Sequence, residues 1–405
     1  MASPEHHVVD IHTHMYPPAY IRLLESRSSI PMIRQYPGGG PPRLIILRDE
    51  VDAMNSVATA DASSYSSSQQ DPPGRPVTTH YSSLEQKLHF MDTHGIDVSV
   101  VSLANPWLDF VAPEEAGETA QAINQDFEDM CVTTTTGRGN AGSSHPRLYF
   151  FATLPLTAPP EALLAAVEHV RGLKHCRGVI LGTSGLGGAG LDDPALLPVL
   201  ESLAERRLPV FLHPHYGLPS SVWGGRGAAG AYGHVLPLAL GFPVETTVAV
   251  ARMYLAGVFD AVPALRLVLA HGGGALPFLA GRIESCVRHD GKLVGEAKSQ
   301  TSSGSRRSIW QVLREQVYLD AVVYSEVALR AAIDAAGGAD RLMFGTDHPF
   351  FPPVGAGEDA EQGVWESAAA NAKAVAAALG EGSAEARAVM GGNAIRVLRL
   401  HEEGD

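Results

Sequence analysis

Short apolar runs rich in Val, Ile, Leu and Phe recur along the chain, and longer segments separate them. Eight such runs can be recognised: 8–12, 97–103, 148–153, 178–183, 210–213, 267–271, 317–321 and 342–347. A strand covered on both faces is apolar along its whole length, whereas a half-exposed strand alternates apolar and polar residues. The runs therefore predict the strands of a parallel sheet that is buried on both faces.

Stretches with apolar residues at helical spacing follow most of these runs. They cover residues 113–130, 160–173, 194–207, 244–259 and 326–335. A strand followed by a helix is one βα unit, and eight such units close into a barrel. The pattern predicts an α/β fold, namely a distorted (β/α)8 TIM barrel.

The chain is longer than a minimal barrel. It has 405 residues, whereas barrels of this kind typically have ~250. We expect one barrel domain over residues 1–405, with the surplus in insertions near 36–83, 132–146, 296–308 and 353–363. The composition of these segments predicts loops or mobile segments, and linkers between domains are the weaker alternative.

The charge balance narrows the range of partners. The chain carries 44 acidic and 30 basic residues, and the formal net charge of −14 argues against a nucleic acid or an anionic membrane as partner. A small anionic substrate would have to be attracted locally, by a metal ion or by a specific arginine.

The cysteines and the termini predict a soluble, cytoplasmic protein. Only Cys131, Cys176 and Cys286 occur, widely spaced, so that neither a disulfide framework nor a cysteine-rich zinc site is expected. The N-terminus lacks the basic start and apolar core of a secretory signal, and no apolar run is long enough to span a bilayer.

Two histidines end the first predicted strand, in the segment Val-Asp-Ile-His-Thr-His, residues 9–14. Successive side chains of a strand point to opposite faces, so His12 and His14 point the same way, about 7 Å apart along the backbone. Two imidazoles in this arrangement can reach one metal ion. The alternative is a polar strand end that merely meets solvent.

Polar residues also end three later strands. His213 ends the fifth, His271 the sixth and Asp347 the eighth. In a barrel these strand ends meet on the face that carries the chemistry. Imidazoles with one carboxylate suit Zn²⁺, with Mn²⁺, Fe²⁺ or Co²⁺ possible. A single histidine of this kind is more often a hydrogen-bonded structural residue, but four strands ending this way favour a metal site.

Three neighbouring residues leave alternatives open. His215 could replace His213 as a ligand, because both flank Pro214, although His213 directly ends the apolar run. His348 should point away from Asp347 by strand alternation, which favours a packing role. Asp320 ends the seventh strand and could either orient a ligand or cap the structure.

The strand-end set resembles the amidohydrolase superfamily along nearly the whole chain. Segments 270–278 (Ala-His-Gly-Gly-Gly-Ala-Leu-Pro-Phe) and 345–352 (Gly-Thr-Asp-His-Pro-Phe-Phe-Pro) resemble its metal-dependent nonoxidative decarboxylases, the branch that includes aminocarboxymuconate semialdehyde decarboxylase. Four further segments resemble the fungal uracil-5-carboxylate (isoorotate) decarboxylases of thymidine salvage more closely: 11–18, 102–107, 213–219 and 232–237.

The resemblance implies the ligands and the number of metal ions. His12, His14, His213 and Asp347 would bind the metal, with His271 near the open position. Binuclear members of the superfamily carry a bridging lysine or acid at the fourth strand, and residues 177–184 contain no such residue. We therefore expect one Zn²⁺ per chain.

The expected reaction is the loss of CO₂ from uracil-5-carboxylate to give uracil. The metal would hold the carboxylate and the adjacent carbonyl oxygen, and an acid would protonate the ring carbon. Asp347 is the first choice for that acid and His271 the second, with activation of a metal-bound water or positioning of the substrate as other roles for His271.

Substrate-binding residues are expected from loops around the barrel. Arg75 in the first insertion matches the substrate-binding arginine implied by the resemblance, with a solvated loop arginine as the alternative. Asn105 could read a ring N–H or carbonyl group, His234 could donate a hydrogen bond, and Phe350 could provide a stacking face. Packing roles are the alternatives for the last three.

Other functions are compatible with the same residues. The substrate could be another aromatic or muconate-type carboxylate. The same ligands could instead activate water in a lactonase or amidohydrolase, and a non-catalytic metal-binding scaffold is a third class. The related decarboxylases imply a homo-oligomer, a dimer or larger.

Overall fold

The computed structural model describes residues 7–36, 40–59, 72–136, 146–225, 231–233, 235–293, 306–353 and 363–400. The strands of this part of the chain are β1 Val9–Met15, β2 Met32–Arg34, β3 Arg43–Ile45, β4 Arg75–Pro76, β5 Val98–Leu103, β6 Leu148–Thr153, β7 Cys176–Gly182, β8 Val210–His213, β9 Leu267–Leu269, β10 Val317–Asp320 and β11 Leu342–Met343.

Eight of these strands form one parallel sheet in the order β1-β5-β6-β7-β8-β9-β10-β11. Every residue in them is buried, as the continuous apolar runs predicted. Each predicted run overlaps one of these strands, and helices lie between them. The predicted (β/α)8 barrel is confirmed.

Helices cover the outside of the barrel. They are α1 Pro18–Ser26, α2 Arg48–Thr59, α3 Leu84–Thr93, α4 Pro113–Thr136, α5 Pro160–Arg171, α6 Leu197–Glu205, α7 Phe242–Leu255, α8 Val258–Ala261, α9 Leu276–His289, α10 Ile309–Glu315, α11 Glu326–Ala336, α12 Glu366–Leu379, α13 Ala384–Arg387 and α14 Asn393–Leu398. In α5, Leu163, Ala166, Val167 and Val170 are buried. This i, i+3, i+4 spacing places one apolar face against the sheet.

Some boundaries differ from the predicted ones. The helix predicted over 244–259 is two helices, α7 and α8, because Gly257 between them adopts φ 79° and interrupts the helical backbone. Strands β9 and β11 end earlier than predicted. As a result His271 and Asp347 lie in the turns that follow, with φ 56° and 61°. Positive φ is uncommon for non-glycine residues, and such strained backbone concentrates at functional sites.

The first insertion contains regular structure. Strands β2, β3 and β4 form an antiparallel sheet, with Met32 paired to Ile45 and Leu44 paired to Arg75. Helix α2 follows β3 in the sequence and precedes β4. The expectation of loops or mobile segments over 36–83 is therefore wrong for these parts, because the apolar residues Leu44 and Ile45 are buried and pin the segment to the barrel.

The other insertions are described only in part. Helix α4 extends to Thr136, six residues beyond the predicted end. Residues 137–145, 294–305 and 354–362 lie outside the described part of the chain, and with them most of the other three predicted insertions. Among the described helices, none is both long and apolar enough to cross a membrane.

The barrel closes between its first and last strands. The backbone N–H of Ile11 donates to Phe344 O at 3.0 Å, that of His14 donates to His348 O at 2.7 Å, and that of Asp347 donates to His12 O at 2.7 Å. Gly345 lies within this seam, where an added Cβ would stand 2.7 Å from the Cβ of His12. The close approach requires glycine there and places Asp347 beside the two histidines of β1.

Candidate metal centre

Four side chains converge at the C-terminal end of the barrel. His12 and His14 come from β1, His213 ends β8, and Asp347 lies in the turn after β11. All four are buried, and each offers one ligand atom within 4.8 Å of the others. The ring centroids of His12, His14 and His213 are 5.0–5.1 Å apart. In the described part of the chain this is the one group of His, Cys, Asp and Glu side chains with such an arrangement.

The opposite side of each imidazole ring is held by the protein. His12 Nδ1 lies 2.5 Å from Asp320 Oδ2, His14 Nδ1 lies 3.0 Å from Ser102 Oγ, and His213 Nδ1 donates to the carbonyl oxygen of Pro214 at 2.7 Å. With the proton on Nδ1, the neutral form of each ring has its lone pair on Nε2. Such partners fix the tautomer and the ring orientation of metal-binding histidines.

The side-chain atoms that face the centre of the cluster have no hydrogen-bond partners elsewhere in the described structure. His12 Nε2, His14 Nε2, His213 Nε2 and Asp347 Oδ1 are buried, and no described residue outside the cluster forms a hydrogen bond with them. His12 Nε2 and His14 Nε2 lie 3.2 and 3.6 Å from Asp347 Oδ1. Buried polar atoms without partners are rare because their desolvation is costly. Three imidazole nitrogens and one carboxylate oxygen therefore fit a divalent ion such as Zn²⁺.

The electrostatics of the cluster favour a cation. Burial lowers the pKa of His14 to about 4 and the pKa of His213 well below its usual value, so both rings are neutral at pH 7. Burial would also lower the pKa of His12, but the Asp347 and Asp320 carboxylates outweigh it and raise that pKa to about 10. Burial would raise the pKa of Asp347, but His12 and the other histidines hold it well below its usual value.

Asp320 performs both roles that its sequence position suggested. Its carboxylate accepts from His12 Nδ1 and also from the backbone N–H groups of His271 at 3.0 Å, Gly272 at 2.8 Å and Val322 at 3.1 Å. The side chain is fully buried. One carboxylate thus orients a ring of the cluster and fixes the turn that carries His271.

His271 lies at the edge of the cluster. Its Nε2 is 3.7 Å from Asp347 Oδ2, and its ring centroid is 5.1 Å from that of His12. His213, His271, Asp347 and Phe350 all line a cavity of about 690 Å³, whose other walls are mainly apolar. The cavity gives a small molecule access to the cluster.

The first insertion brings Arg75 to the same end of the barrel. Its guanidinium donates to Tyr16 Oη and to Asn105 O, the latter at 3.0 Å, and stands 4.9 Å from the Phe350 ring centroid. The Phe350 ring is 5.6 Å from that of His14. The structure therefore gathers Arg75, Asn105 and Phe350 beside the cluster. His234 lies outside the described residues.

The side-chain amide of Asn105 already forms contacts within the protein. Its Nδ2 donates to the carbonyl oxygen of His215 at 2.6 Å, and its Oδ1 lies 3.4 Å from Arg75 Nη1. His215 Nδ1 is 3.0 Å from Ser184 Oγ, and its Nε2 is 3.3 Å from Asp109 Oδ1. These contacts hold the ring of His215 outside the four-residue cluster.

A buried lysine behind the cluster was not anticipated. Lys87 is fully buried, donates to Thr13 Oγ1 and lies 2.9 Å from His348 Nδ1. Thr13 stands between His12 and His14, and His348 follows Asp347. The sequence did hold a signal, because Lys87 shares one helical face with Leu84 and Met91 in α3, where an apolar residue would be expected.

The comparisons with known proteins extend over the same residues. The amidohydrolase family (Amidohydro_2) matches residues 9–400, which contain all eight barrel strands and the whole cluster. The chain is 26% identical over 277 residues to 2-amino-3-carboxymuconate-6-semialdehyde decarboxylase of Dictyostelium discoideum, covering 66% of this chain and 67% of the relative.

Two solved structures resemble the fold. The crystal structure of Metarhizium anisopliae IDCase in apo form has 62% sequence identity and a TM-score of 0.88, and the match covers 99% of each chain. A dihydroxybenzoic acid decarboxylase from Polaromonas sp. JS666, with bound manganese and the inhibitor 2-nitroresorcinol, has 20% identity and a TM-score of 0.65 over 98% of each chain. The second likeness supports the fold alone.

Proposed function

The chain belongs to the amidohydrolase family, and on this premise we propose that it converts uracil-5-carboxylate (isoorotate) and a proton to uracil and CO₂. Within the family it is a metal-dependent nonoxidative decarboxylase. One observation carries the proposed substrate: the 62% identity to an IDCase, an isoorotate decarboxylase, over 99% of both chains. Thymidine salvage is the pathway that such a reaction would serve.

His12, His14, His213 and Asp347 would hold one Zn²⁺ per chain. When bound, the ion would supply positive charge for the substrate carboxylate and the adjacent carbonyl oxygen, and would withdraw electron density as a Lewis acid. Manganese is the bound metal in the Polaromonas relative, so both ions belong in any test of metal preference.

The cavity and the insertion would position the substrate. Phe350 lines the cavity and can stack on a planar ring. The Arg75 guanidinium lies 4.9 Å from the centroid of this phenyl ring, and it can form paired hydrogen bonds with a carboxylate or a carbonyl pair. An acidic chain needs such a local positive charge to attract an anion.

Protonation of the ring carbon is the central chemical problem. Loss of CO₂ from an unprotonated ring leaves an unstabilised carbanion, so we place proton transfer to the carbon before the carbon–carbon bond breaks. Asp347 lines the cavity and is our first choice for the proton donor. Because its pKa is low in the ion-free cluster, it must receive the proton from a neighbour, and His271 Nε2 stands 3.7 Å from Asp347 Oδ2. Direct donation by His271 is the alternative.

The cavity also supports a second candidate substrate. Its walls away from the cluster are formed by Val235, Leu238, Phe242, Val322 and Phe351, among others. An apolar wall suits an arene ring at least as well as a pyrimidine, whose polar edges need hydrogen-bond partners. An aryl carboxylate is therefore the second candidate for the same decarboxylation.

One experiment tests the proposal and its alternatives together. Protein stripped with a chelator and reloaded with zinc or manganese is incubated with uracil-5-carboxylate, aryl carboxylates, and a panel of lactones and amides. We expect uracil and CO₂ in equal amounts, and no activity in the stripped sample. Turnover of an aryl carboxylate but not of uracil-5-carboxylate would select the second candidate. Turnover of the lactones or amides alone would contradict decarboxylation.

A further inference from the structure

Arginines surround a second cavity, at the end of the barrel opposite the metal centre. It has a volume of about 320 Å³ and is lined by Arg207, Arg266, Arg396 and Arg399, with Tyr318 and small apolar side chains between them. We call it the arginine cavity. Arg266 immediately precedes β9, and Tyr318 lies at the start of β10, so the cavity opens where these strands begin, whereas the metal centre lies where strands end.

The guanidinium groups are held mainly by uncharged acceptors. Arg266 Nη1 donates to the carbonyl oxygens of Pro263 and Leu265. Arg396 Nη2 donates to Asp340 O at 2.8 Å and to Asn393 Oδ1 at 3.2 Å. Arg399 Nη2 donates to Arg207 O at 3.1 Å. These bonds fix the directions of the side chains without neutralising their charge.

Carboxylate partners are missing for most of these arginines. Considering described residues only, Arg207, Arg266 and Arg396 form no ion pair within 4.0 Å, and the side chain of Arg207 forms no hydrogen bond. In a chain with 44 acidic and 30 basic residues, several unpaired arginines around one cavity are unexpected. The surplus of acid elsewhere makes this a local region of opposite charge.

A fifth arginine stands behind the cavity wall. The guanidinium of Arg341 lies 4.0 Å from the ring centroid of Tyr318, and its buried Nε and Nη2 have no hydrogen-bond partner among the described residues. Burial lowers its pKa, Tyr318 and the Asp340 carboxylate raise it in part, and the charges of Arg266 and Arg396 lower it further. The positive charges are thus close enough to repel one another, a cost that a bound anion would relieve.

We propose that the arginine cavity binds a small oxyanion of the phosphate class. Guanidinium groups match the oxygens of phosphate through paired, charge-assisted hydrogen bonds. The volume of about 320 Å³ corresponds to that of about ten water molecules in the liquid, which accommodates such an ion with part of its hydration shell. A nucleic acid or a membrane would also meet other parts of a chain whose formal net charge is −14, so a small ion is favoured.

The site would be separate from the proposed catalysis. Strand β8 runs from Val210 beside the cavity to His213 in the metal cluster, so the two sites lie at opposite ends of the same strand. An anion bound at the first residues of several strands would stabilise the barrel without touching the substrate. Such binding raises stability in proportion to the logarithm of ligand concentration over Kd.

Titration calorimetry with inorganic phosphate tests the proposal. The metal-loaded full chain is titrated at constant ionic strength, with chloride as the compensating ion. We expect saturable binding of one phosphate per chain and a melting temperature that rises with phosphate concentration. The double variant Arg266→Gln/Arg396→Gln should bind at least tenfold more weakly. Should this variant fail to fold, Arg207→Gln replaces it, because no described residue bonds to that side chain.

The matched control removes the same charge elsewhere. Arg22→Gln/Arg282→Gln changes two exposed arginines on α1 and α9, and its affinity should stay within twofold of the parent. An equal loss of phosphate affinity in this control would show that the effect comes from the net charge of the chain, and it would overturn the proposal. Unchanged phosphate affinity in the Arg266→Gln/Arg396→Gln variant would show that phosphate binds elsewhere, for example at the metal centre. This result would also overturn the proposal.

A shortened chain tests whether the acidic C-terminal residues compete with phosphate for the arginines. Residues 401–405 follow Arg399 closely in sequence and include Glu402, Glu403 and Asp405. A chain that ends at Leu400 should bind phosphate with unchanged stoichiometry. If only this shortened chain binds phosphate, the protein's own carboxylates neutralise the arginines and the proposal is wrong.

Discussion

Asp320→Asn tests how the barrel holds His12 ready for a metal ion. The carboxylate lies 2.5 Å from His12 Nδ1, and the asparagine amide is nearly the same size. It can present either an oxygen or an NH₂ group to the ring, but it lacks the negative charge that keeps the Nδ1 proton in place. The backbone N–H groups of His271 and Gly272 also require this residue as an acceptor.

The size of the effect follows from the contacts. Loss of such a partner typically costs ~10–100-fold in metal affinity, which corresponds to ~1.4–2.7 kcal/mol. The effect should lie towards the upper end, because both side chains are fully buried and water cannot replace the carboxylate. One asparagine oxygen must also serve several donors, so a loss of ~1–3 kcal/mol in the free energy of unfolding is expected as well.

Competition against a chromophoric chelator measures the zinc affinity, and denaturant unfolding of the ion-free chain measures stability. Asp334→Asn, the same change at an exposed position of α11, is the control and should alter neither. Activity of Asp320→Asn should recover in part when zinc is raised above the weakened Kd. A folded Asp320→Asn protein that binds zinc as tightly as the parent would refute the role of Asp320 in orienting His12.

Four further expectations follow from the same geometry. Asp347→Asn should lower kcat by ~10²–10⁴-fold, the usual contribution of a general acid, with substrate binding still detectable by calorimetry; full activity would assign the proton to His271. Lys87→Met should lower the free energy of unfolding by ~1–3 kcal/mol, because Thr13 and His348 lose a buried partner; a loss below ~0.5 kcal/mol in denaturant unfolding would contradict this. Arg75→Lys should raise KM more than it lowers kcat in steady-state assays, because lysine lacks the planar fork; an unchanged KM would remove Arg75 from the substrate site. Zinc binding at pH 7 should release about one proton, since His12 with a pKa of about 10 is protonated in the ion-free chain and must lose that proton to become a ligand; affinity then rises with pH below 10, and calorimetry in buffers of different ionisation enthalpy would contradict this by showing no release.

The barrel could be predicted because each of its strands is marked by an apolar run within a few consecutive residues. Each of the eight apolar runs is buried on both faces, and that burial is visible in any short window of sequence. The first insertion illustrates the limit. Strand β4 consists of Arg75 and Pro76 alone and exists because Leu44 in β3 pairs with Arg75, an interaction between residues 31 positions apart. A Gly- and Ser-rich composition carries no trace of that pairing.

The residues of the candidate site also fall into those that could be predicted from the sequence and those that could not. Strand alternation and strand ends pointed to His12, His14, His213, His271 and Asp347. The family resemblance implied that His12, His14, His213 and Asp347 are the ligands, and the structure gathers these four. Their roles as ligands stay a prediction until an ion is measured. The contributions of Asp320 and Lys87 depend on contacts between elements distant in sequence, such as the 308 residues between Asp320 and His12, so the sequence alone left the first undecided and missed the second.

Closure of the barrel and assembly of the metal centre are one structural event. The seam between β1 and the segment after β11 contains the backbone bonds from Asp347 N to His12 O and from His14 N to His348 O, both 2.7 Å. A buried bond from Thr346 Oγ1 to Asp10 Oδ2, 2.7 Å long, joins the same two segments. An ion bound by His12, His14 and Asp347 would therefore crosslink the two ends of the sheet. Metal binding would then add to the stability of the closed barrel, because the unfolded chain offers no such preformed site.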